Sequence, residues 1–451
     1  MNDPNGLVYV DGLWHLFFQY NPESADWGNM SWGHATSADL QHWDEHPVAL
    51  LYSDREQIYS GSVVAAPTDT LTAYYTSAYD DGLQKQSRAT SRDGGYTWQR
   101  DPANPILDRS SHDFRDPKVV RYTAPDGTRH WVMLTVEAVD RQLLIFTSDN
   151  LSDWQLRSTF GPIGPEDVVW ECPDLVQLSL DDDPTQTVWA LLLSTNSAGD
   201  EPDPEGSNMH YIVGDFDGAT FTSPAQDLER LDHGRDFYAA VTFDNAPDDE
   251  KVAIGWMSNW RYAHAVPTTP WRGAMSLPRT LSARTTGERV QLVQSPPAFV
   301  TDALTTTPPV TTAIGPNAQH LTITGHTLLA LDWEPATIGA LRLELRGATE
   351  SVVTVQHDTE TSELHITRSG PAIDAVHPDF AWTSVTPFLP SRVQRLLLSL
   401  DGPLAEAFLG DGEATTSNLV LLGEGPIDLS LTSASPGELQ MKIIEVASPQ
   451  R

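Results

Sequence analysis

A chain that repeats itself at a fixed interval has few folds open to it, because each unit must bury its apolar surface against the next. One short pattern here, a strand end followed by a polar turn and a tryptophan, occurs as ATSADLQHW (35–43), ATSRDGGYTW (89–98) and FTSDNLSDW (146–154). Ser37, Ser91 and Ser148 of these turns stand 54 and 57 residues apart, and a degraded copy, VGDFDGATF, follows at 213–221. A second pattern runs in phase: a polar or acidic cluster, then an apolar strand. It opens at Asp3 (NDPNGLVYV), Ser60 (YSGSVVAA), Asp116 (FRDPKVV), Glu171 (WECPDLVQL) and Asp236 (GRDFYAAVTF), at intervals of 57, 56, 55 and 65 residues. Each opening strand is followed by another, such as LWHLFFQ or HWVMLTV. Five units of this length, built from short strands, predict a five-bladed β-propeller. The innermost strand of a blade is an edge lining the channel, where proline is tolerated, and Pro4, Pro117 and Pro173 fit there.

The chain has 451 residues, more than one hydrophobic core usually supports. Beyond about residue 285 the tryptophans thin out, TTTPPVTTAIGPN (305–317) reads as a loop, and alternating strands such as ALRLELRGA and SELHITRSG follow. Strands with turn signals and no helical period predict a β-sandwich. The expected fold is all-β, with a propeller over 1–290, a sandwich over 291–451 and the boundary between 285 and 305.

Lysine and arginine total 27 against 62 aspartates and glutamates, a net charge of −35. Such a surface repels phosphate backbones and anionic lipid, which argues against nucleic acid and membranes as partners and favours a neutral ligand. No apolar run approaches the roughly 20 residues a spanning helix needs. A single cysteine, Cys172, forms no intrachain disulfide and cannot supply a cysteine-rich zinc site. His42 and His46 in HWDEH are four apart, but Pro47 argues against a helix there, so neither metal nor cofactor is expected.

If the five openings are innermost strands, Asp3, Asp116, Glu171 and Asp236 ring one mouth of the channel, although far apart in sequence. Crowded carboxylates cost free energy, so chemistry is the reason to retain them. Two carboxyl groups flanking a glycosidic bond are the usual equipment for its hydrolysis. The proton donor needs apolar surroundings, and Glu171, preceded by VVW, has them in sequence. Asp3 lies among Asn2 and Asn5, and Asp116 beside Arg115 and Lys118, neighbours expected to keep both ionised. Cys172 reads as a small buried thiol. Trp14, Trp27, Trp32, Trp256 and Trp260 lie in or beside the strands placed around the mouth. Trp27, in the polar loop ADWGNMS, is the best candidate for a sugar platform.

These stretches, with FFQYNP, WGNMSWGHATS, DFYA, GWMSNW and WRGAMSLPR in the same order, closely resemble glycoside hydrolase family 32, nearest the microbial exo-inulinases and levanases. The resemblance implies a five-bladed propeller with a C-terminal sandwich and retaining hydrolysis of terminal β-fructofuranosides from fructans, with sucrose as a further substrate. It implies Asp3 as nucleophile, Glu171 as general acid/base, and Asp116 as the residue that grips fructose hydroxyls and stabilises the transition state. Asn2, Gln19, Trp27, Ser62, Arg115, Tyr238 and Trp260 are implied as contacts to the fructosyl ring. Retention requires the carboxyl groups of Asp3 and Glu171 to stand about 5 to 5.5 Å apart. Tyr59 occupies a position where phenylalanine is commoner in the family. Members usually carry a tryptophan and some twenty residues before MNDPNG; an export signal belongs in such a segment, and the expected location is extracellular.

A sucrose-preferring invertase or a fructosyltransferase would differ only in what leaves or accepts. A fructan-binding propeller without catalysis is the alternative from another class. The surface charge carries its own expectation, adaptation to high salt, because at about 1 M salt the screening length falls to roughly 3 Å and self-repulsion is relieved. The thermal unfolding midpoint should therefore rise by several degrees between dilute buffer and molar sodium chloride; a midpoint that does not move would mark an ordinary acidic protein.

Overall fold

The computed structural model describes residues 1–66, 70–198 and 205–446. Its strands form five antiparallel blades followed by two stacked six-stranded sheets, the propeller and sandwich expected from the sequence. In the first blade Pro4–Val10, Leu13–Tyr20, Ser31–Ser37 and Asp44–Leu50 pair in chain order. The innermost strands of the other blades are Glu56–Ala66, Phe114–Thr123, Val168–Leu180 and Tyr238–Thr242. A single parallel pairing of Leu180 with Ala283 joins the fourth and fifth blades.

The recurrent serine and tryptophan mark the turn between the third and fourth strands of a blade. Ser37 Oγ accepts the Leu40 amide at 2.7 Å, and the Trp43 indole donates to the Leu40 carbonyl at 3.2 Å. Ser91 Oγ accepts the Gly95 amide at 2.9 Å, and the Trp98 indole donates to the Gly95 carbonyl at 2.9 Å. A serine that satisfies turn amides ends the strand, and a tryptophan then folds back over the turn.

The inner strands bury both faces. Val63 packs toward the first blade with Val8, Phe17, Trp32 and Tyr75. Its neighbour Val64 packs toward the third blade with Phe114, Val119 and Met133. Val132, Leu134 and Val136 then meet Trp170, Leu191 and Ile212 of the fourth blade. Consecutive residues point to opposite sides of a strand, so a strand between two neighbours must be apolar at nearly every position. Trp14, Trp32 and Trp256, expected around the mouth, are instead buried. Trp14 packs with Leu7, Val241 and Ile254 where the fifth blade meets the first, and Trp32 packs between the first and second. Large aromatic surface is worth most where it is fully removed from water.

Ring closure joins the first blade to the fifth. The Tyr9 amide donates to the Asp244 carbonyl at 3.0 Å, and the Asp244 amide to the Leu7 carbonyl at 2.9 Å. The Asp244 carboxylate accepts the Ala65 amide of the second blade at 3.1 Å. Within the ring, Lys118 Nζ lies 3.0 Å from Asp174 Oδ2 and donates to the Thr242 carbonyl at 2.6 Å. Asp174 also accepts the Thr242 amide and hydroxyl, each at 2.7 Å, so one buried ion pair ties the third, fourth and fifth blades.

By contacts the chain forms two compact units, one of Met1–Arg230, Tyr238–Trp256 and Thr268–Gln291, the other of Leu231–Phe237, Met257–Pro267 and Leu292–Arg451. The second holds the sandwich, whose sheets share one core including Leu329, Leu331, Trp333, Leu343, Val355 and Ile366. Several of its strands alternate buried residues with more exposed ones, as in Leu341–Arg346, whereas Leu404–Leu409 and Ala414–Leu419 are buried throughout.

Asp236 departs from expectation, because its carboxylate is taken up inside this second unit. It pairs with Arg368 at 2.6 Å and accepts the Tyr262 hydroxyl at 2.5 Å and the Leu419 amide at 2.8 Å. A fully buried carboxylate needs a cation and donors, and Arg368 supplies the cation.

Removing one member of a buried ion pair leaves the other uncompensated, at a cost of about 3–5 kcal/mol. Lys118→Met is expected to lower the unfolding free energy by that order in urea titration, and Lys118→Met with Asp174→Leu to recover part of the loss.

Candidate active site

Each innermost strand breaks register near its start. The shift falls between Asn5 and Val8 in the first blade, between Ile58 and Gly61 in the second, and between Arg115 and Lys118 in the third. In the fourth it falls between Glu171 and Asp174, and in the fifth between Tyr238 and Val241. A bulge re-aims a side chain that would otherwise point into a neighbouring blade. Asp116 (φ 62°), Cys172 (φ 46°) and Ala239 (φ 53°) have left-handed backbone at these points, as does Gly6 (φ 54°). A Cβ on Gly6 would lie 2.7 Å from Val63 and 2.9 Å from Phe17, so only glycine lets the first strand turn there.

The bulges bring Asp3, Asp116 and Glu171 into one electrostatic cluster with Arg115. Asp3 is buried and wrapped in donors. Ser60 Oγ donates to its Oδ2 at 2.7 Å, Asn2 Nδ2 to its Oδ1 at 3.2 Å, and Gln19 Nε2 approaches Oδ2 at 3.5 Å while bonding Ser60 at 2.6 Å. The backbone beneath it is paired, Asn2 amide to Gln19 carbonyl at 3.1 Å and Gln19 amide to Asp3 carbonyl at 3.0 Å. Asp116 Oδ2 accepts the Cys172 amide at 2.9 Å, and the Asp116 amide donates to Thr76 Oγ1 at 2.8 Å. Glu171 accepts the Tyr238 hydroxyl on one oxygen and faces Arg115 at 3.3 Å on the other. Arg115 also reaches Gln84 and Asp113, each at 3.3 Å, and its buried Nε–H has no partner among the described residues.

Burial pushes the Asp3 carboxyl above the usual aspartate range, against the pull of the Ser60 and Asn2 hydrogen bonds. Burial raises Asp116 to about 7, overcoming the Arg115 charge, with Glu171 adding repulsion. Both shifts run against the expectation that polar neighbours in sequence favour the ionised form. Lys118, two residues from Asp116, turns to Asp174 instead. The apolar neighbours of Glu171 also point elsewhere: Trp170 is fully buried in the core between the third and fourth blades, while the Glu171 side chain keeps 21% exposure beside Arg115 and Tyr238. In an extended strand adjacent side chains face opposite ways, so preceding residues say little about a side chain's surroundings.

The Cys172 thiol lies 3.6 Å from Asp3 Oδ2, and burial raises it well above its ordinary value, so it stays neutral and serves as a weak donor. Ser62 bridges blades, donating to the Pro117 carbonyl at 2.8 Å and accepting the Val119 amide at 2.9 Å. Ser60 is the serine against Asp3; it, Thr76 and the Cys172 amide were missed as site groups, although Ser60 stood in phase with the other openings. Trp27 is 55% exposed, with its ring 6.0 Å from that of Tyr59 in an edge arrangement. Trp260 is half-buried in the Met257–Pro267 segment of the second unit. His42 pairs with Asp39, and among the described residues no group of three or more His, Cys, Asp or Glu side chains is placed to hold a metal ion.

A carboxyl group raised from 3.8 to about 7 on folding holds a proton that the unfolded chain has lost. Its contribution to stability is full below about pH 4 and is lost as pH rises to 7. Asp116→Asn removes this dependence: the variant should match the parent near pH 4 and melt a few degrees higher near pH 7, as read by thermal unfolding across that window.

The model of the glycosyl hydrolases family 32 N-terminal domain matches residues 1–296, and that of the family 32 C terminal matches residues 290–446. The extracellular exo-inulinase of Aspergillus awamori is 35% identical over 99% of this chain and 92% of its own length. Its crystal structure superposes with a TM-score of 0.89, covering 99% of this chain and 96% of that one at 34% identity. The levanase of Bacillus subtilis is 36% identical over 97% of this chain and 67% of its own length. Invertase 1 of Saccharomyces cerevisiae is 37% identical over 63% of this chain and 56% of its own length. With both domain models matched in order across nearly the whole chain, the protein belongs to glycosyl hydrolase family 32.

Proposed function

We propose that the protein is a retaining exo-hydrolase that releases terminal β-fructofuranosyl units from fructans and also cleaves sucrose. The observation that carries this reading is the cluster of Asp3, Asp116 and Glu171, with the Arg115 guanidinium against Glu171 and Asp116. Likeness to the exo-inulinase and the levanase supports a fructan substrate, and likeness to the invertase supports sucrose. The secreted relatives support an enzyme that works outside the cell, where polymeric fructan is found. In this reading residues 1–290 are the catalytic domain and residues 291–451 a β-sandwich domain.

In the reaction Asp3, as carboxylate, attacks the anomeric carbon while the glycosidic bond breaks, and Glu171 gives its proton to the departing oxygen. Glu171, now ionised, takes a proton from water, and the resulting hydroxide displaces Asp3 to release fructose. The donors from Ser60 and Asn2 favour the ionised form of Asp3 that burial opposes. Arg115 holds Glu171 in place and compensates its charge after the first step. The fructosyl hydroxyls are donors, so their binding to Asp116 stabilises its carboxylate and draws it below its value in the empty site. Asn2, Gln19, Trp27, Tyr238 and Trp260 are proposed to surround the ring, with Ser62 acting through the blade contacts it makes.

Incubation with inulin is expected to give fructose as the sole early product by chromatography. Glu171→Gln should reduce turnover by about 10²–10⁴-fold with the fold intact, the usual contribution of a positioned acid/base. A folded parent protein that releases nothing from inulin or sucrose would instead identify a binding propeller.

A further inference from the structure

Two tryptophans in the first unit are more than half exposed, Trp27 at 55% and Trp271 at 52%. A single exposed aromatic is ordinary, but these two occupy equivalent loops. Trp27 lies between the second and third strands of the first blade, Leu13–Tyr20 and Ser31–Ser37. Trp271 lies between the second and third strands of the fifth, Val252–Trp256 and Arg279–Thr286. In an antiparallel blade that connection comes at the same end as the start of the innermost strand, where Asp3 and Tyr238 stand. The first and fifth blades are adjacent through ring closure, so both loops flank one side of the mouth.

Contacts fasten the Trp271 loop there. Arg272 Nη1 pairs with Asp26 Oδ1 at 2.9 Å, linking the residues next to the two tryptophans. The pair is half in solvent, so its value is geometric rather than energetic. The Arg272 carbonyl accepts the Met1 amino group at 2.6 Å. A Cβ on Gly273 (φ 87°) would come within 2.0 Å of the Met1 carbonyl and 2.9 Å of the Trp256 indole nitrogen, so the backbone presses directly on the segment that carries Asp3. Met275 is then bridged to Trp256, whose ring packs edge-on to Tyr238. At about 3.6 Å per residue, these links put the Trp271 backbone no more than roughly 17 Å from that of Asp3. That bound keeps Trp271 within reach of a substrate of several sugar rings seated at Asp3. Both residues keep more than half of their surface in solvent, and the Asp26–Arg272 and Met1–Arg272 contacts fix the Trp271 loop in place.

We infer that Trp271 is an aromatic platform for the leaving-group part of a fructan chain, paired across the Asp26–Arg272 link with Trp27, and that it sets preference for oligomeric fructan over sucrose. The inference rests on the proposed fructosyl hydrolysis. The apolar C–H faces of sugar rings pack on indole, and a rigid indole costs little ordering entropy when it binds. Only a substrate with several rings on the leaving side gains from such a surface.

The test compares kcat/KM on inulin and on sucrose for the parent, Trp271→Ala and Trp271→Tyr. Trp271→Ala should lower the inulin value about tenfold more than the sucrose value, and Trp271→Tyr should restore most of the difference. Equal losses on both substrates, or no loss on either, would overturn the inference. Calorimetric binding of an inulin oligosaccharide to Glu171→Gln, with and without Trp271→Ala, separates the platform from the chemistry. About tenfold weaker binding in the double variant supports the platform even if the parent releases no fructose, in which case the hydrolytic reading alone fails. Unchanged binding overturns the platform whatever the parent's activity.

Discussion

Both faces of every inner strand are claimed by the neighbouring blades, and this constraint governs how the site is built. A strand of period two sends Val63 one way and Val64 the other, with no position left over for a functional side chain. Only where the strand slips register can a residue turn out of the packing. All five inner strands slip near their starts, and the carboxylates, Cys172 and Tyr238 ride on or beside those slips. The left-handed backbone at Asp116 and Cys172 is local strain held by the packed strands on either side.

Crowding three carboxyl groups together, two of them beside one arginine, is tolerated because each carboxyl group has a hydrogen-bond donor of its own. Ser60, Asn2 and Gln19 serve Asp3, the Cys172 amide serves Asp116, and Tyr238 serves Glu171. Cys172 therefore contributes to two acids at once, through its amide and its neutral thiol, and neither role depends on thiolate chemistry. A second set of buried charges, Lys118 with Asp174, sits on the same strands and locks the third, fourth and fifth blades. The residues that follow Asp116 and Glu171 in the FRDPK and WECPD motifs thus hold together the frame that positions those two carboxyl groups.

Trp27 and Trp271 extend the same geometry outward. Each lies on a loop whose neighbour in sequence, Asp26 or Arg272, carries the tie between the first and fifth blades, so the seam where the ring closes is also the flank of the mouth. Asp236 shows the opposite outcome. It opens its repeat with the same Arg-Asp pair as Asp116, yet it lies within the second unit, where Arg368 satisfies its carboxylate, and Tyr238 hydrogen-bonds Glu171.

Spacing alone determined the number of blades and the phase of Asp3, Ser60, Asp116 and Glu171, because a repeated unit must return its equivalent positions to one end of the ring. The turn serines and tryptophans were legible for the same reason, since their hydrogen bonds span only a few residues. Neighbours in sequence misled on environment: Arg115 and Lys118 flank Asp116, but one lysine turns away to Asp174, and burial decides the proton on Asp116. Ser60 and Ser62 differ by two positions in sequence, and only the bulge between Ile58 and Gly61 decides that the first meets Asp3 while the second joins the blades. Periodicity is a local property and can be read along the chain, whereas charge state and side-chain direction depend on what distant strands bring alongside, which exists only once the ring has closed.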